Sequence, residues 1–114
     1  SCTPILDHAA VIPLTHELFA NDAIFFTDLR SKKVALKNPA TGYGVEVSYP
    51  DFATVAFWTA AATKAPFLCV EPWNGSAIRS DEDDNFLNRH FLQKLEGGES
   101  KGYRVEIKKI VQQL

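Results

Sequence analysis

Hydrophobic and polar positions alternate with a period of two over several short stretches of this chain, the pattern of half-buried strands. Val34 and Leu36 alternate with Lys33, Ala35 and Lys37, and Val45, Val47 and Tyr49 alternate with Gly44, Glu46 and Ser48. Between them, Asn38-Pro39-Ala40-Thr41-Gly42 supplies turn chemistry, so the two runs predict a hairpin. Residues 103–108 alternate again behind the turn pair Gly97-Gly98 and predict a solvent-facing closing strand.

Two runs, residues 53–59 and 67–70, are apolar at successive positions, as strands covered on both faces are. A shorter β-prone run, Ala23-Ile24-Phe25-Phe26-Thr27, follows the polar pair Asn21-Asp22. Helical signal amounts to at most two turns, one over residues 14–19 with Leu14 and Leu18 on one side and a second around residues 86–90. Residues 1–13, broken by Pro4 and Pro13, form an incoming connection. Short strands separated by turn signals predict an all-β, antiparallel β-sandwich. Six strands make a thin sandwich, and a larger sheet system to which this chain contributes one side would better cover the doubly apolar runs.

Composition narrows the class. The 114 residues are one domain's worth, and 46% hydrophobic against 23% charged residues describes a globular rather than a disordered chain. Twelve basic against fourteen acidic residues leave no basic surplus, so no nucleic-acid partner is expected. No apolar run approaches the ~20 residues that span a bilayer, so no membrane partner is expected either. Ser1-Cys2-Thr3-Pro4 has no signal-peptide character. Cys2 and Cys69 form no CxxC pair, and Cys69, inside an apolar run, is expected to be a buried reduced thiol. A cytoplasmic setting follows from these readings. A chain beginning at Ser1 and lacking Met reads as trimmed or as a piece of something longer.

Glu71 is the first candidate for chemistry. It follows Phe67-Leu68-Cys69-Val70 and precedes Pro72-Trp73. A carboxylate partly withdrawn from water holds a proton more tightly than one in bulk solvent, the property a general base requires. Its bland alternative is a carboxylate satisfied by backbone N–H groups at a strand end. Trp73 adds a flat apolar surface of the kind that stacks on a sugar ring, and Trp58 is either a second such wall or core. Asp22 is either a turn residue or an acceptor for ligand hydroxyls. The acidic run Asp81-Glu82-Asp83-Asp84-Asn85 fails as a calcium loop, because Phe86 and Leu92 stand where glycine and the bidentate glutamate belong; it suits a solvated loop or a helix cap. His8, His16 and His90 lack metal-ligand spacing, no GxSxG or dinucleotide loop is present, and the four arginines are dispersed. No metal or cofactor is expected.

The stretch Phe67-Leu68-Cys69-Val70-Glu71-Pro72-Trp73-Asn74-Gly75, taken with Leu18-Phe19-Ala20-Asn21-Asp22-Ala23-Ile24-Phe25-Phe26 upstream, resembles the aldose 1-epimerase (galactose mutarotase-like) family, in particular its bacterial mutarotase-related branch. A lysine-rich hairpin, the Gly-Tyr-Gly-Val-Glu-Val strand, a strand ending in Trp58 and the closing segment Leu95-Glu96-Gly97-Gly98-Glu99 follow the same order. The resemblance covers roughly residues 12–110.

It implies a β-supersandwich enzyme that interconverts the α and β anomers of an aldose by acid–base ring opening. Glu71 matches the family's general base, Asp22 resembles its hydroxyl-binding aspartate, and Trp58 and Trp73 become walls of a monosaccharide site. Family members are two to three times longer, and their general-acid histidine stands in an H-x-Y-x-N type segment that is missing here. Residues 1–114 are therefore expected to be a single domain or the C-terminal part of a mutarotase-like domain, weak or inactive alone. The acid would come from a missing N-terminal half or another chain. A non-catalytic carbohydrate-binding β-sandwich module is the alternative.

Overall fold

Six strands carry the fold: β1 (Ile24–Thr27), β2 (Lys33–Lys37), β3 (Gly44–Ser48), β4 (Thr54–Trp58), β5 (Cys69–Trp73) and β6 (Glu106–Ile110). The computed structural model describes residues 11–27, 29–75, 85–88 and 91–111. The incoming segment through residue 10 with Cys2 and His8, the acidic residues 81–84, and His90 lie outside the described residues. The strands form two three-stranded antiparallel sheets, β1-β4-β5 and β2-β3-β6. The helical structure described is three 3₁₀ turns, at His16–Phe19, Ala61–Thr63 and Phe86–Asn88. The all-β antiparallel architecture is therefore the one the period-two pattern predicts. No helix among the described residues is long and apolar enough to cross a membrane.

The hairpin forms where its turn residues direct. Asn38 Oδ1 accepts from the Ala40 N–H at 2.9 Å, and the backbone pairs Asn38–Tyr43 and Gly42–Asn38 close the loop. The register sets Val34 opposite Val47 and Leu36 opposite Val45, with Ile107 of β6 on the far side of Val47. One face of this sheet is thus mostly aliphatic, with Lys109 beside Val45, and Lys33, Glu46 and Lys108 share the other. Cover on the aliphatic face thins across the sheet: Val47 is 8% exposed, Ile107 74%.

Two strands differ from expectation in their bounds. The closing strand lies at Glu106–Ile110 rather than 103–108, because β6 pairs only where β3 runs opposite it, from Ser48 to Gly44. Residues 67–70 are not a complete strand: β5 starts at Cys69 and continues through Trp73. β5 is also an edge strand, half-buried along its length, whereas β4 between its two neighbours buries Thr54, Val55 and Ala56. Val55 is wholly enclosed, and its burial contributes about 1.5–3 kcal/mol. The 3₁₀ turn at Phe86–Asn88 is capped by Asn85, whose Oδ1 accepts from the Leu87 N–H at 3.1 Å.

The sheets join through residues 51–53. The Asp51 carboxylate accepts from the Arg104 N–H at 2.8 Å on the approach to β6, and Phe52 packs on Tyr103 with ring centroids 5.6 Å apart. On the other side, Asn74 after β5 donates to Asp51 O at 3.0 Å.

Gly44 is required by close approach, since a Cβ there would overlap the Leu36 carbonyl oxygen and press on Lys37. Gly44→Ala is expected to open the end of the hairpin and cost about 1–3 kcal/mol, read as a lowered urea midpoint. Burial raises the Tyr49 hydroxyl above its ordinary value of 10.0. The unfolded chain therefore releases this proton first; the contribution is intact below about pH 10 and is lost as pH climbs through the raised value. Tyr49→Phe should flatten the fall in stability above pH 10, measured by denaturant titration against pH.

Candidate functional site

In an antiparallel ladder, directly opposed residues share a face and alternate residues return to it. Phe25 opposes Ala56, which opposes Glu71, and Thr27 aligns in the same way with Thr54 and Trp73. Trp58 opposes Cys69. One face of β1-β4-β5 consequently carries Phe25, Thr27, Thr54, Ala56, Trp58, Cys69, Glu71 and Trp73. Ile24, Phe26, Val55, Phe57, Val70 and Pro72 occupy the reverse. Three of the four residues singled out in the sequence, Glu71, Trp58 and Trp73, therefore stand on one surface, with Glu71 between the two indoles.

Glu71 lies in the middle of β5, not at its end. It is half-buried, and its Oε2 accepts a 3.0 Å hydrogen bond from Trp73 Nε1–H. The partner is thus an indole, not the backbone amides of a strand end. The Trp73 ring meets Phe25 edge to face, with centroids 5.2 Å apart and planes at 85°. Phe25 and Trp73 stem from the two outer strands, so rings this close must lean over β4; beneath them Ala56 is fully buried and Thr54 nearly so. Thr54 also bonds Thr27 side chain to side chain at 3.1 Å. Trp58 is half-buried at the other end of the face, its ring 5.9 Å from Phe67. Cys69 beside it is a free, half-buried thiol.

The sequence Glu71-Pro72-Trp73-Asn74-Gly75 has a local reason at each position. Pro72 is tolerated because β5 is an edge strand, where a residue without an N–H is accommodated. Asn74 Oδ1 accepts from the Ala53 N–H at 3.2 Å while its Nδ2 donates to Asp51 O, fixing the end of β5 to the start of β4. Gly75 turns the chain at φ +90, a conformation that favours glycine, and its N–H bonds Phe91 O at 2.8 Å. Phe25 and Asn74 belong to this arrangement without standing out as candidates in the sequence. Alternation within Ile24-Phe25-Phe26-Thr27 signals that Phe25 faces opposite to Phe26, but no local pattern signals that Asn74 reaches Asp51.

Asp22 stands apart. It closes the turn after the 3₁₀ segment, its N–H bonding Phe19 O at 3.1 Å, and it is exposed with φ +90. Asp tolerates that backbone better than most residues, so the turn role accounts for its position. By strand spacing and rise, its Cα lies on the order of 14 Å from that of Glu71. No hydrogen bond joins Asp22 to the other three residues among those described.

A cavity of about 260 Å³ opens between the 3₁₀ turns, lined by His16, Glu17, Ala20, Ala61, Ala62 and Lys64. None of the four predicted site residues lines it. His16, the one histidine described, donates from Nε2 to Ala65 O at 3.0 Å. Among the described residues no three His, Cys, Asp or Glu side chains converge as a metal site requires.

Fold and face together define an all-β protein of two antiparallel sheets, with a tryptophan-flanked carboxylate on one of them. Among proteins of known sequence, it is similar to Protein LacX, chromosomal, and Protein LacX, plasmid, both of Lactococcus lactis subsp. lactis. Each is 35% identical over 85 residues, 75% of this chain. The chain spans 28% of the length of these curated relatives. No family model and no solved structure matches it.

Asn74→Ala removes both bonds that tie β5 to residues 51–53 and leaves Ala53 N–H without its acceptor. The expected loss is about 1–3 kcal/mol, read as a lower thermal midpoint.

Proposed function

We propose that this chain carries the base of an aldose 1-epimerase-like site, with Glu71 as general base and a monosaccharide as substrate. The observation that carries the reading is the Glu71 carboxylate itself, half-buried on a sheet face between Trp73 and Trp58. It stands within the Glu-Pro-Trp motif that resembles the mutarotase-like family, and the similarity to the LacX proteins supports a place in carbohydrate chemistry.

In this reading the chain supplies the C-terminal part of a mutarotase-like domain. Glu71 takes the proton from the anomeric hydroxyl. Electrons from that O–H bond form the exocyclic carbonyl, the bond from C1 to the ring oxygen breaks, and an acid delivers a proton to that oxygen. Rotation about C1–C2 and the reverse steps produce the other anomer. Trp58 offers an apolar face to the sugar's C–H groups, and Asp22, beyond the far end of β1, would meet only its distal hydroxyls. The acid comes from outside the described residues, on further chain or on a partner, since His16 lines the separate cavity between the 3₁₀ turns. The setting proposed is cytoplasmic.

Glu71→Gln keeps the shape of the side chain and one acceptor oxygen but removes the charge and the base. In the full-length native protein it should slow anomer interconversion, followed by polarimetry, by about 10²–10⁴-fold, with sugar affinity changed by no more than a few-fold. An unaltered rate rejects the base; sugar binding with no mutarotation in the parent protein favours a carbohydrate-binding module instead.

A further inference from the structure

The hydrogen bond between Trp73 and Glu71 reassigns the tryptophan, and this inference rests on the reading of Glu71 as base. Glu71 and Trp73 are separated by one residue on the same face of β5, and Nε1–H reaches back to Oε2 at 3.0 Å. Among the described residues this is the carboxylate's sole hydrogen bond, so Oε1 is left for an incoming hydroxyl. The indole is in turn fixed from the side by Phe25. Its one polar atom is already engaged and its ring packs against a neighbour, which suits an orienting group better than a stacking platform. The geometry points to Trp73 as a positioning residue that holds the Glu71 carboxylate in one orientation with one oxygen presented to the sugar, while Trp58 is the wall that meets the substrate.

An N–H bonded to a carboxylate is a charge-assisted hydrogen bond, shorter and stronger than one between neutral groups. A carboxylate without it would rotate and share its time among orientations, and a small misplacement of a reacting group is costly in rate. Loss of the donor should therefore appear in turnover rather than in binding. A platform role would show the opposite split.

Trp73→Phe keeps an aromatic ring against Phe25 and removes only the donor. In the full-length native protein, kcat for mutarotation should fall about 10–100-fold with KM within about twofold. Combined with Glu71→Gln, it should add no further loss, since it acts through that carboxylate. A raised KM with kcat preserved, or losses that multiply in the double variant, would overturn the positioning role while leaving the base in place. A Glu71→Gln variant as fast as wild type would remove both. A readout that needs no folded Trp73 variant is the indole ¹H–¹⁵N resonance. The chain has two tryptophans, and the Trp73 signal should shift and exchange faster with solvent in Glu71→Gln while the Trp58 signal stays. An unmoved Trp73 resonance overturns the proposal.

Discussion

The register of β4 between β1 and β5 is the constraint on which the candidate site depends. Ala56 opposes Phe25 on one side and Glu71 on the other, and every side chain of the site face is counted from that row. Because strands alternate with a period of two, a slip of one residue in β5 would send Glu71 and Trp73 to the reverse face and bring Val70 and Pro72 forward. What resists the slip is the enclosed Val55 on the reverse face, the covered Ala56 on the site face, and the Asn74 clamp at the end of the ladder. A small residue at 56 matters in its own right. The two outer rings can lean together over β4 only because little rises between them.

The part of this arrangement legible in the sequence was the part that local alternation encodes. The β2–β3 hairpin is written in Val34, Leu36, Val45 and Val47 and in the turn that begins at Asn38. β5 was harder, because its apolar run stops at Val70 and Pro72 ordinarily interrupts a strand. Only its place at a sheet edge lets the ladder run on to Trp73, and edge or centre is a property of the whole sheet. β6 shifted for a related reason: alternation begins at Tyr103, but pairing begins where β3 offers a partner. In the same way Asn74 finds Asp51 through a tertiary contact that no window of neighbouring residues contains.

For the site, residue type and motif were sufficient to bring Glu71, Trp58 and Trp73 forward, and ladder parity places them on one face. The bond between two of them was not legible, since it turns on side-chain orientation across a one-residue gap. Asp22 illustrates the opposite case. Its place beside an apolar strand suits both a ligand acceptor and a turn residue, and the backbone at that position supplies a structural reason for it independent of any ligand.

Pro72 has a consequence beyond the fit of its own ring. An unprotected sheet margin offers a row of free amide hydrogens to any extended peptide that drifts alongside, and proteins blunt such margins in order to stay dispersed. At β5, Pro72 stands directly between the carboxylate and the indole that grips it and brings no hydrogen of its own to any ladder. Proline on an outer strand is one of the devices that discourage such pairing, and here it lies in the margin that bears Glu71.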